Sequence, residues 1–139
     1  MTIIRASLSI GLILLLGLLF LQCDSEPKQE KGESIDYKAL ILGNWTLKKA
    51  YRDKKESVGL ANTFFEFKEN GQMETNFNME GKANVHKFII ENDTVKQEGA
   101  PAFDYHIYEV SDSSLTLVTK FRGFDFKLIL EKWIKDSRD

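Results

Sequence analysis

Residues 64–80 read Phe64-Phe65-Glu66-Phe67-Lys68-Glu69-Asn70-Gly71-Gln72-Met73-Glu74-Thr75-Asn76-Phe77-Asn78-Met79-Glu80. Apolar and polar residues alternate on both sides of a central Asn-Gly. Successive side chains of a strand point to opposite faces, so each run has one greasy face and one polar face. Asn70-Gly71 between two such runs predicts a β-hairpin, because both residue types accept positive φ.

The same period extends outward. Downstream come Ala83 to Ile90, a turn at Glu91-Asn92-Asp93, Thr94 to Gln97 and a break at Gly99-Ala100-Pro101. Phe103 to Val110, Leu115 to Phe121 and Phe124 to Leu130 follow, separated by turns at Ser111–Ser114 and Arg122-Gly123. Upstream, Trp45, Leu47 and Tyr51 give a first strand one apolar face, on which Lys49 is an irregularity. The polar stretch Arg52 to Asn62 reads as a loop that could lie over a barrel mouth. Ser34 is placed to N-cap a short helical turn with Ile35, Ala39 and Leu42 on one face, ending at Gly43. About eight short strands joined by tight turns, with no long helix between them, favour an antiparallel up-and-down sheet. Such a sheet closes readily and loses its exposed edges, so the fold class is all-β, an eight-stranded barrel.

Composition narrows the function. The 139 residues are 42% apolar and 29% charged with 2 Pro, which excludes a disordered or low-complexity chain. Formal charge is −2, and from residue 37 onward 16 basic residues face 16 acidic ones, so no basic excess argues for nucleic acid. One Cys excludes a disulfide framework and a Cys-based zinc site.

The chain begins with Arg5 near the amino terminus and an unbroken apolar run of 12 residues, Ile10 to Leu21, which ends at Gln22-Cys23-Asp24. A bilayer crossing needs about 20 apolar residues, so the run is short for a permanent span and fits a secretory leader. Asp24 to Ser34 is polar, with Pro27 and Gly32 and no face to bury, and reads as a tether of about 35 Å at full extension. The expected organisation is a leader at 1–22, a tether at 23–34 and a barrel at 35–139.

Two resemblances add to this. The charged start, Leu-rich core and Cys23 resemble a bacterial lipoprotein signal, although Phe20 and Gln22 depart from its usual cleavage box. That resemblance implies acylation of Cys23 and attachment to a membrane of the cell envelope, with the outer membrane expected and the domain facing either the periplasm or the surface. Leu42-Gly43-Asn44-Trp45-Thr46-Leu47 resembles the Gly-x-Trp segment of the lipocalins. With Phe65-Glu66-Phe67 to Gly71 and Leu115-Thr116-Leu117 to Glu131, the span Leu40 to Trp133 is similar to the lipocalin-like domains of Bacteroidota-type lipoproteins. In that family the Trp closes the barrel floor beneath an Arg of the last strand; here Lys132 is the nearest substitute.

The implied function is non-catalytic binding of a small lipophilic molecule by a monomer. Candidate lining residues are Trp45, Phe67, Phe77, Phe121 and Phe126, with Met73 and Met79 as adaptable wall and Tyr51, Thr75, Tyr105 and Thr119 orienting a ligand near the mouth. The alternative is a filled barrel serving as a structural or protein-interaction module of the envelope. His86 and His106, with Asp104 or Glu109, would form a metal site only if strand pairing brought them together, and their spacing matches no ligand motif. No nucleophile motif or phosphate-cradling loop is present, so neither an enzyme nor a bound cofactor is expected.

Overall fold

The computed structural model describes residues 34–134. The leader, Cys23 and the tether as far as residue 33 lie outside the described residues, as do residues 135–139. Among the described residues, those from Ile35 to Ile134 belong to one compact unit.

A short helix α1 (Tyr37–Ile41) leads into β1 (Gly43–Arg52), a two-residue strand β2 (Lys55–Glu56) and a 3-10 turn at Val58–Leu60. Then come β3 (Phe64–Phe67), β4 (Gln72–Thr75), β5 (Asn84–Glu91), β6 (Thr94–Gln97), β7 (Phe103–Val110), β8 (Ser114–Phe121) and β9 (Phe124–Lys132). Each strand from β3 to β9 pairs antiparallel with the next, β3 pairs with β1, and β1 closes the ring against β9. The wall is therefore the expected eight-stranded antiparallel barrel, with β2 as a flap on the end of β1.

The barrel has two unlike ends. At the closed end lie α1 and the short turns β3–β4, β5–β6 and β7–β8. The loop end carries the β1–β2 turn, the residues leading to β3, the 76–83 connection, the 98–102 connection and the Arg122-Gly123 turn. Between these ends the greasy faces converge: Trp45, Phe65, Phe67, Met73, Val95, Tyr105, Leu115, Leu117, Leu128 and Leu130 are each at most 2% exposed.

Four local details depart from the pattern read off the sequence. The register of β1 on β9 shifts between Leu47 and Lys49, a bulge with Lys48 as the extra residue. It turns Lys49 and Tyr51 outward and brings Ala50 into the core, which removes the apparent irregularity at Lys49. The stretch Arg52 to Asn62 is not a plain loop, since Asp53 and Lys54, both at positive φ, reverse the chain into β2. In the β3–β4 hairpin only Gly71 has positive φ, and its N–H donates to the Lys68 carbonyl (3.2 Å). The connection is thus a four-residue turn ending in a left-handed glycine, not a two-residue Asn-Gly turn. Finally, Asp36 rather than Ser34 caps α1, accepting from the Ala39 N–H at 3.2 Å. The helix buries Ile41 against the barrel, and Ile35 and Ala39 are exposed.

Strand β4 also ends early. Thr75 Oγ1 donates to the Phe64 carbonyl (2.7 Å) and accepts from the Phe77 N–H (3.0 Å). Asn76 accepts from the Phe64 N–H at 3.0 Å and donates to the Asn62 carbonyl at 2.9 Å. Side chains thus take over the ladder beyond Thr75, the backbone is freed to bend, and Phe77 turns back over the barrel axis. Met79, expected in the wall, is 54% exposed because no strand continues through it.

Candidate functional site

The floor is built around Trp45. Its Nε1 donates to the Ile41 carbonyl at 2.7 Å, tying the end of α1 to the first strand and leaving no unpaired indole N–H in the core. Lys132, opposite Trp45 on β9, places its Nζ 5.0 Å from the ring centroid. This is the stacking cation for which the sequence offers no arginine. Gly43 makes room for it: a Cβ there would lie 3.1 Å from Lys132 Cε, and the φ of +114° is one that side chains disfavour.

Above the floor, aromatic rings occupy the axis. Phe65 lies edge-on to Tyr105 with centroids 5.3 Å apart and stacks beside Phe67 at 6.1 Å. Phe77 meets Phe126 at 5.5 Å, Phe103 at 5.6 Å and Phe121 at 6.4 Å, and Phe103 meets Phe121 at 4.9 Å. Of the nominated lining residues, Trp45, Phe67, Met73, Thr75, Phe77, Tyr105, Phe121 and Phe126 turn into this interior. They meet one another across it and form a packed core. Tyr51 does not join them, because the bulge at Lys48 sends it to the outer wall. There it borders a groove of about 400 Å³ with Val118, Lys127 and Ile129.

Sequence reasoning missed Phe65, Phe103 and Gln97. Phe65 and Phe103 share the alternation of Phe67 and Tyr105, so the same pattern could have found them. Nothing local marks Gln97, a buried polar residue that makes sense only with its partners. Its Oε1 accepts from the Tyr105 hydroxyl (3.1 Å) and its Nε2 donates to the Pro101 carbonyl (2.8 Å). Thr119 likewise donates to the Asp104 carbonyl (2.8 Å) instead of pointing a free hydroxyl at a ligand. Every buried side-chain polar atom among the described residues has a partner.

Burial pushes the Tyr105 phenol far above its ordinary range, because a phenolate there would sit without water among rings. The phenol ionises near pH 10 once unfolded but stays protonated in the barrel, so its share of stability is intact below about pH 10 and falls as pH rises further. The expected slope is about 1.4 kcal/mol per pH unit. Urea unfolding of the wild type and Tyr105→Phe between pH 9 and 11 checks this: the variant should lack that part of the alkaline loss. At neutral pH the same variant should be about 1–2 kcal/mol less stable, from the unpaired Gln97 oxygen.

The two histidines do not meet. His86, paired with Met73 on the inner register of β5, is half-buried at the loop end, its Nδ1 3.6 Å from where a Gly99 Cβ would stand. With Asn84 and Glu98 it borders an open depression of about 550 Å³ where β5 and the 98–102 connection part. His106 faces outward, its Nδ1 3.3 Å from the Asp93 carboxylate. No cluster of three or more His, Cys, Asp or Glu with metal-binding geometry occurs among the described residues.

No protein-family model and no curated protein sequence matches this chain. Its structure is similar to the crystal structure of a lipocalin-like protein from Bacteroides uniformis, with a TM-score of 0.50 and 15% sequence identity, covering 66% of this chain and 97% of that one. At that identity the likeness is one of fold: the domain is a lipocalin-like barrel.

Proposed function

We propose that the chain is a lipid-anchored protein of the cell envelope whose barrel takes a small lipophilic molecule, without catalysis, in the place held by the Phe77 ring. The observation that carries this reading is the position of that ring. Phe77 lies two residues beyond the end of β4, on a connection held by side-chain hydrogen bonds, and its ring fills the space between Phe103, Phe121 and Phe126. A wall residue could leave only by breaking the ladder, whereas Phe77 can leave by moving the 76–83 connection. An apolar guest replacing it would recover the same ring contacts without exposing a polar atom.

A fluorescent naphthylamine probe tests the reading directly. Saturable binding at micromolar probe, displaced by lipids extracted from the envelope, supports it; a linear rise in emission without saturation defeats it. The second reading, a filled barrel acting as a structural or interaction module, is favoured by Trp45, Phe65 and Tyr105, each 0% exposed, in an interior where every buried side-chain polar atom of the described residues has a partner. It predicts no saturable binding.

Anchoring rests on Cys23. Several acyl chains hold a protein firmly where one holds it marginally, at about 0.8 kcal/mol per buried CH₂. Cys23→Ser should therefore move the protein from the membrane fraction to the soluble fraction. Unchanged fractionation would mean that the leader remains as an uncleaved anchor or that another contact holds the chain.

A further inference from the structure

We infer that the closed end of the barrel docks on the surface of the anchoring membrane, with Ile35, Trp133 and Ile134 seated at the headgroup boundary. The inference rests on the proposed lipid anchor at Cys23 and adds which face of the domain meets the bilayer.

The described chain enters and leaves at the same end. Ile35 precedes α1, which borders the β3–β4 and β5–β6 turns through Gly71 and Asn92. Trp133 follows β9, its N–H donating to the Asn44 carbonyl (2.9 Å) beside the buried Trp45. Ile35 is 59% exposed, Trp133 52% and Ile134 80%, although the barrel buries most of its other large apolar side chains. Ile35 also edges a groove with Phe88 and Ile90, so its apolar surface is continuous with the wall. Indole pairs a large apolar ring with one N–H donor and favours the boundary between hydrocarbon and headgroups. Lys38, exposed on α1, can reach headgroup phosphates from the same end.

The loop end also shows apolar side chains, Val58, Met79 and Phe124. The point of attachment favours the closed end, because the tether joins the domain at Ile35, just before α1. A relaxed tether of 11 residues spans about 18 Å. The ten residues of β1 rise about 33 Å, or about 25 Å along the axis once strand tilt is included. Bringing the loop end to the bilayer would stretch the tether past its relaxed length, whereas the closed end reaches without stretching. Tethering also holds the domain at roughly millimolar effective concentration, so a weak apolar contact is enough to keep it docked. Docked in this way, the barrel turns the Phe77 stopper away from the anchoring leaflet. A ligand would then be exchanged with the aqueous side, not drawn from the lipids beneath.

The test uses the protein as a lipoprotein-processing bacterial host makes it from the whole sequence, mixed with phosphatidylcholine vesicles whose lipids are brominated near the headgroup. The chain has 2 Trp, one fully buried and one at the proposed contact, so quenching is assignable. Emission should fall by roughly half in Trp45→Phe, where only Trp133 reports, and hardly at all in Trp133→Phe. Phe124→Trp in the Trp133→Phe background places a reporter at the loop end, and it should stay unquenched. Protein that floats with the vesicles while Trp133 is unquenched overturns the docking and leaves the anchor standing. Quenching at position 124 instead would mean that the barrel sits mouth down. Protein that does not float overturns the anchor, and the docking falls with it.

Discussion

Trp45→Ala is expected to lower unfolding free energy by about 3–5 kcal/mol, a large share of the 5–15 kcal/mol of an ordinary domain. Three losses coincide. The largest fully buried side chain leaves a cavity under the barrel, where Phe65 on one neighbouring strand and Lys132 on the other cannot close without moving their strands. The Ile41 carbonyl loses its donor, and α1 loses its tie to the wall. The Lys132 ammonium, now without a ring beneath it, must turn out to solvent. Two milder variants separate the terms. Trp45→Phe keeps an aromatic face under Lys132 but orphans the Ile41 carbonyl, for about 1–2 kcal/mol. Lys132→Ala keeps the indole and its hydrogen bond and should cost about 1 kcal/mol. Urea midpoints followed by far-ultraviolet circular dichroism rank the three. If Trp45→Ala proved no worse than Trp45→Phe, the floor would not depend on the bulk of Trp45.

The parts of this barrel that were legible in the sequence are those where one residue carries one instruction. Alternation in residues 64–75, 103–107 and 115–130 reports which face is greasy, and Gly71 and Arg122-Gly123 report where the chain reverses; in β7 the pattern breaks at Tyr108, where the register on β8 shifts. The bulge in β1 was not legible, because a period of two cannot show that a residue has been inserted. Its trace was the lysine at position 49 on an apolar face, a conflict that the bulge resolves by moving Tyr51 to the outer wall. The early end of β4 was hidden for a different reason. Asn76 looks like any polar strand residue until Asn62 and Phe64, more than ten positions away, supply its partners. The same limit applies to the interior. Periodicity says that Phe67, Phe77 and Tyr105 face inward, but whether rings from opposite walls touch depends on barrel radius and on Phe77 folding back, and neither is local.

Phe77→Ala is expected to have the second largest effect, with opposite signs in two measurements. Removing a ring that meets Phe65, Phe103, Tyr105, Phe121 and Phe126 should cost about 3–5 kcal/mol, at the lower end if the 76–83 connection sinks into the gap. Binding of the naphthylamine probe should rise, because the guest no longer has to evict a side chain. If eviction costs about 2–3 kcal/mol, affinity should improve by about 30- to 150-fold. The variant alone cannot separate the two functional readings, since an engineered apolar cavity accepts small apolar solutes in a protein with no natural ligand. The comparison with wild type can. A stopper that yields to a guest predicts that envelope lipids compete for the probe in both proteins, more strongly in the variant, and raise the melting temperature of both. A core that merely happens to be aromatic predicts binding in Phe77→Ala alone, limited to solutes no larger than the missing ring, with wild type indifferent to lipid. Binding in wild type that Phe77→Ala leaves unchanged would place the guest elsewhere, and the outer groove beside Tyr51 or the depression beside His86 would be the next sites to probe.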